Sequence, residues 1–76
     1  MLIKFQNSVG IERIIGEGDT KEKCNQIIQK FLKDRGYKSY YWNMYKINER
    51  LKIDVGSWTE FFFVEGSEEE LNEYFC

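Results

Sequence analysis

Apolar side chains at Cys24, Ile27, Ile28, Phe31 and Leu32 recur at intervals of three and four residues, which places them on one stripe of a helix. The spacing predicts a helix over about residues 20–35. Asp19 reads as its N-cap, with Glu22 three residues later completing a capping box. Gly36 supplies the left-handed stop, after Lys33 and Arg35 have met the negative end of the helix dipole. Elsewhere the period shortens to two. "LIKF" and "VGIERII" flank "QNS", whose Asn7 and Ser8 carry turn chemistry, so an N-terminal hairpin is predicted. After the helix come "KSYYWNMYKI", "LKIDV" and "WTEFFFV", separated by Asn48-Glu49-Arg50 and by Gly56-Ser57, both short enough for hairpins. In the middle strand Leu51, Ile53 and Val55 alternate cleanly with Lys52 and Asp54. Its neighbours break that rule: Tyr40, Trp42 and Met44 oppose Tyr41, Tyr45 and Ile47, and Phe61 and Phe63 oppose Phe62 and Val64. Both faces of the sheet must therefore meet apolar material there. "SEEELNEYFC" opens on Ser67, which can cap a short helix with Glu70 at its third position, turning Leu71, Tyr74 and Phe75 to the core.

The element order β-β-α-β-β-β-α predicts a two-layer α+β domain in which an antiparallel meander is covered by helix. Composition agrees. With 76 residues, 42% apolar and 17% aromatic, the chain is too rich in large side chains for a disordered segment, and of a size for one small core. No segment approaches the roughly eighteen apolar residues of a membrane span, and the start has no basic flank before an apolar run, so a soluble, cytoplasmic protein is expected. Cys24 on the helix stripe reads as a small buried apolar residue and Cys76 as an exposed thiol; no spacing suggests zinc or a disulfide framework.

Charge is divided along the chain. All 11 Lys and Arg lie in residues 1–52 with 6 acids, whereas residues 53–76 hold 7 acids and no base. Folding can either present two charged surfaces to a partner or bring the two halves together to neutralise each other. The chain has no histidine, which excludes Ser-His-Asp and Cys-His catalysis and imidazole metal ligation. Carboxylate chemistry remains: Asp54, Glu60 and Glu65, with Glu12 or Glu17, have the oxygens a magnesium-dependent nuclease needs, although no spacing singles them out. Lys38, Lys46, Arg50 and Lys52, interleaved with Tyr37, Tyr40, Tyr41, Trp42 and Tyr45, offer a nucleic-acid reading. The last five elements also have the order of a double-stranded-RNA-binding domain. Against this stand the net charge of −2 and the placing of Glu68, Glu69 and Glu70 where such a domain carries a basic cluster. The six glycines punctuate turns and form no phosphate-binding pattern.

Most functional content lies in the aromatic excess. Phe31, Ile53, Phe61 and Phe63 are assigned to the core, whereas Tyr40, Trp42, Tyr45 and Trp58 are amphipathic and suit burial and partner docking equally. In "KSYYWNMYKI" and "DVGSWTEFFFVEG" the chain resembles a family of small uncharacterised proteins of phages and prophages of low-GC Gram-positive bacteria, which share "FQN", "GIERIIGE", a short helix, "YKSYY" and "DVGS.TEFF". The resemblance covers nearly the whole chain. Relatives often carry His where Trp58 stands, which speaks against a catalytic role at that position. The resemblance implies no activity or cofactor; its phage context implies a stoichiometric inhibitor of a host defence system, such as a CRISPR nuclease or a nucleotide-signalling system. The expectation is a non-enzymatic accessory protein without cofactor or metal, binding a host protein through Tyr40, Trp42, Tyr45 and Trp58 and through Glu68, Glu69 and Glu70.

Overall fold

The computed structural model describes residues 1–38 and 40–75, the side chain of Phe75 excepted. The expectations for Phe75 and Cys76 lie outside the described residues. Five strands, β1 (Leu2–Gln6), β2 (Glu12–Glu17), β3 (Asn43–Ile47), β4 (Arg50–Asp54) and β5 (Phe61–Glu65), form one antiparallel sheet. Two helices, α1 (Lys21–Asp34) and α2 (Glu68–Asn72), the latter running into a 3-10 turn, complete the α+β order read from the sequence.

The sheet order is β2-β1-β5-β4-β3, so the meander β3-β4-β5 is joined to the N-terminal hairpin by pairing of β1 with the last strand. Position explains composition. As the central strand, β5 is covered on both faces, which is why "FFFV" is apolar without alternation. Register places Ile3, Phe5, Val64, Phe62, Leu51 and Ile53 on one face, where they form the buried core with Cys24, Ile28 and Leu32 of α1 and with Leu71 and Tyr74. Both helices thus cover the same face. Phe63 is buried as expected, on the opposite face as its alternation with Phe62 and Val64 requires, and Phe61 beside it is half-buried. Their cover is cationic: the Arg50 guanidinium lies 3.9 Å above the Phe63 ring and the Lys52 ammonium 4.0 Å above Phe61.

Three boundaries differ from the sequence expectation. The N-cap of α1 is Thr20, not Asp19: Thr20 has the extended backbone of a cap, and its hydroxyl accepts the Lys23 N–H at 3.2 Å. Strand β3 begins at Asn43, and residues Tyr40 to Trp42 form an irregular link that touches the sheet through the Tyr41 N–H donated to the Val55 carbonyl at 3.1 Å. Strand β5 begins at Phe61, so Trp58 belongs to a loop. The helix end is as expected. Gly36 has φ +86°, and Gly36 and Tyr37 donate to the carbonyls of Lys33 and Leu32 in a Schellman arrangement. Ser67 and Glu70 form the predicted capping box. Among the described residues no helix is long and apolar enough to cross a membrane.

Candidate functional site: an exposed aromatic pole

The β-register sorts the loops into two ends. Gln6 pairs with Phe61 and Asn43 with Asp54, so the turn after β1, the β4–β5 loop and the link before β3 gather at one pole. The C-terminus of α1 joins them, because Arg35 reaches Glu60 at 2.8 Å. Most of the large exposed apolar residues meet here: Trp58 is 96% exposed, Val9 76%, Tyr41 70%, Ile11 63% and Tyr40 40%.

Trp58 stands on a braced loop. Asp54 accepts the Gly56 N–H at 2.8 Å, and the Ser57 hydroxyl accepts the N–H groups of Thr59 and Glu60 at 3.4 and 3.1 Å. Side-chain acceptors therefore replace the ladder bonds that would have continued β5 back to Trp58. At the far side of the loop Glu60 accepts from Arg35 and, at 3.2 Å, from the Tyr37 hydroxyl. Gly56 has φ +94°, and a Cβ there would come within 2.7 Å of the Tyr41 ring, so that ring lies directly on the glycine. Trp58, Tyr41, Phe61, Asn43, Asp54 and Ser57 line a shallow depression of about 580 Å³.

The other predicted contact residues are dispersed. Trp42 is half-buried, packs against the core and lies beside Tyr40, with ring centroids 6.4 Å apart and the rings tilted by 51°. Tyr45 pairs with Lys52 on the open face of the sheet, away from Trp42. Glu68, Glu69 and Glu70 occupy the opposite pole, separated from the Trp58 loop by the length of β5, about 13 Å. There the Glu70 carboxylate accepts the Ser67 N–H and lies 3.6 Å from the N-terminal amine; the hydrogen bond from Ser67 holds its pKa below the usual carboxylate range. Glu68 approaches Lys46 at 3.9 Å.

Charge from the two halves of the sequence meets in the fold. Lys4 and Arg50 bind Glu65, Arg35 binds Glu60, Lys46 approaches Glu68, and the amine of Met1 faces Glu70. On the open sheet face Arg50 also donates to Glu12 at 2.7 Å. That bond raises the Arg50 pKa, while the hydrogen bond from Lys4, then that from Arg50, lowers the Glu65 pKa. Of the carboxylates on which a magnesium site would draw, Glu12 and Glu65 are engaged by cations, Glu60 by Arg35 and Tyr37, and Asp54 by its own loop, while Glu17 has no such partner among the described residues. Among the described residues no three acidic or thiol side chains converge on a common point.

Val9 and Ile11 were not singled out from the sequence, and Tyr41 was named as a contact only beside the lysines, for base stacking. Only the register brings the hairpin tip, at residues 7–11, beside a loop fifty residues away. Compared with family models, with curated proteins and with solved structures, the chain matches none.

Proposed function

We propose that this chain is a non-enzymatic protein-binding domain, an accessory protein of the phage kind it resembles, which docks on a host protein through the aromatic pole around Trp58. A defence nuclease or its complex, met in the host cytoplasm, is the first partner class to test. The observation that carries this reading is Trp58, 96% exposed on a loop fixed by three side-chain hydrogen bonds to backbone N–H groups. An indole held in water forgoes the burial of some 150–250 Å² of largely apolar surface. At about 25 cal/mol per Å², covering it contributes several kcal/mol to association before ordering costs. Rigid presentation keeps those costs low. Tyr41 and the depression beside it extend the contact, whereas Glu68, Glu69 and Glu70 at the other pole lie outside it.

Nucleic-acid binding finds less support, because Arg50 and Lys4 on the open face are already held by carboxylates. The test uses fluorescence in a Trp42→Phe background, which leaves Trp58 as the sole indole. A host protein recovered by affinity capture should shift the emission to the blue as it covers Trp58, and Trp58→Ala should abolish capture without altering the circular dichroism. An unchanged spectrum on saturation with the captured protein would refute the reading.

A further inference from the structure

At the edge of the same pole the strand β2 and the end of α1 bring two arginines to one aromatic shelf. The Arg13 guanidinium carbon lies 5.9 Å from the Phe5 ring centroid and 5.6 Å from that of Phe31; for Arg35 the distances are 5.0 and 5.6 Å. The rings themselves are 4.8 Å apart. Both cations line one small cavity of about 220 Å³, shared with Asn7, Ile11 and Glu60. Rings of this kind hold guanidinium groups in place through their faces while leaving the N–H donors at the edges free.

The donor count at this niche is unbalanced. Glu60 is the carboxylate there, and its two oxygens are taken by Arg35 and by the Tyr37 hydroxyl. Among the described residues Arg13 makes no ion pair. Asn7 presents donors too, since its Oδ1 already accepts the N–H groups of Val9 and Ile11 at 3.1 and 3.0 Å and its NH2 group is what remains. Two cations and one anion leave a local charge of +1 beside exposed Ile11 and Val9, in a protein whose net charge is −2.

We propose that the niche between Arg13 and Arg35 is a carboxylate-binding site, which receives an Asp or Glu side chain from an acidic segment of the protein docked at the aromatic pole. This rests on the protein-binding reading above and gives the partner its chemistry. A guanidinium fork matches a carboxylate in two parallel hydrogen bonds, and the neighbouring aliphatic side chains suit a peptide with apolar residues beside its acid. A polyphosphate strand fits less well. It needs a track of cations, and beyond this niche the open face is neutralised while the opposite pole is acidic.

The experiment follows the side-chain Nε–Hε signals of Arg13 and Arg35 by NMR while acetylated, amidated tetraglutamate is titrated into the chain. Both signals are expected to move and saturate, tetraglutamine with the same caps is expected to leave them in place, and Arg13→Gln is expected to weaken binding about fivefold or more with an unchanged amide spectrum. Trp58→Ala should leave this titration unaltered. Silence toward tetraglutamate, equal shifts from tetraglutamine, or tighter binding of oligothymidylate at the same ionic strength would overturn the proposal. The two readings fail separately. Tetraglutamate binding with an uncovered Trp58 sinks the docking pole alone, and a covered Trp58 with a silent niche sinks this site alone.

Discussion

Replacing Gly56 by alanine tests how the Trp58 loop is built. Gly10, Gly36 and Gly56 have φ of +88°, +86° and +94°, so a side chain at any of them is strained by about 1–2 kcal/mol, partly offset by the smaller entropy of the unfolded alanine chain. What distinguishes Gly56 is its neighbour. Gly10 and Gly36 have nothing within 4 Å of an added Cβ, whereas at Gly56 that atom would stand 2.7 Å from Tyr41 Cδ2 and 3.3 Å from Cε2. The ring must swing away. Because Tyr41 is 70% exposed it can do so, losing its contact with the loop at a further cost of about 0.5–1 kcal/mol. Gly56→Ala should therefore cost about 2 kcal/mol in urea denaturation, against about 1 for Gly36→Ala or Gly10→Ala. For a domain of this size the difference amounts to roughly 4–8 °C in Tm. In a Tyr41→Ala background the excess at Gly56 should disappear, which is the double-mutant signature of direct contact. If Gly56→Ala costs no more than Gly36→Ala, Tyr41 does not rest on this loop and the shape assigned to the pole is wrong.

Thr20→Ala should lose about 1 kcal/mol of stability by denaturant titration, and Asp19→Ala only a few tenths, since it is the Thr20 hydroxyl that accepts the Lys23 N–H. Equal losses would return the cap to Asp19. Arg50→Ala uncovers Phe63 and frees Glu12 and Glu65, for an expected loss of about 1–2 kcal/mol; Arg50→Lys should recover less than half, because an ammonium cannot lie flat on the ring. Full recovery by lysine would mean that charge alone matters there. The lowered pKa of Glu65, caused first by Lys4, gives a sign to the acid limb of stability. Its contribution is complete above the unfolded value near 4.5 and disappears as pH falls through the lower folded value. Glu65→Gln should therefore flatten the stability profile below pH 4.5. A steeper acid limb in that variant would contradict the assignment.

Local pattern made some of this fold legible and could not reach the rest. The stripe from Cys24 to Leu32, the stop at Gly36 and the alternation of Leu51, Ile53 and Val55 are consequences of periods within one element. Asp19 and Thr20 are adjacent residues of equal capping chemistry, and backbone angles alone decide between them. The run from Tyr40 to Trp42 has strand propensity but lacks a ladder: among the described residues its backbone bond to this side of the sheet is the one from Tyr41 to Val55, just past β4. Likewise "WTEFFFV" reads as one strand until Ser57 takes two N–H groups that the ladder would have used. The three consecutive Phe residues announced a strand covered on both faces. That the second cover is Arg50 and Lys52 follows from register, which no single element contains. The same holds for the site. Trp58 was a candidate by residue type; its company of Tyr41, Val9, Ile11 and the two arginines arises from pairing Gln6 with Phe61 and Asn43 with Asp54.

The pole's size constrains how it can bind. Five strands about 4.8 Å apart and two layers about 10 Å thick each present an end of roughly 500 Å², below the roughly 800 Å² that each partner contributes to a standard interface. A flat contact over such an end would be weak. Affinity must then rest on few anchors entering the partner, and on this end the projecting groups are Trp58 from one loop, Val9 and Ile11 from another, with Arg13 and Arg35 between them and the helix. Energy concentrated in this way makes single truncations severe, as at protein interfaces where one buried aromatic residue dominates. A binder using the whole open face would behave otherwise, distributing small losses over Ile14, Tyr45 and Ile47. The ratio of the loss at Trp58→Ala to that at Tyr45→Ala therefore separates end-on from face-on docking: a large ratio places the partner on the loops, and a ratio near one places it on the sheet.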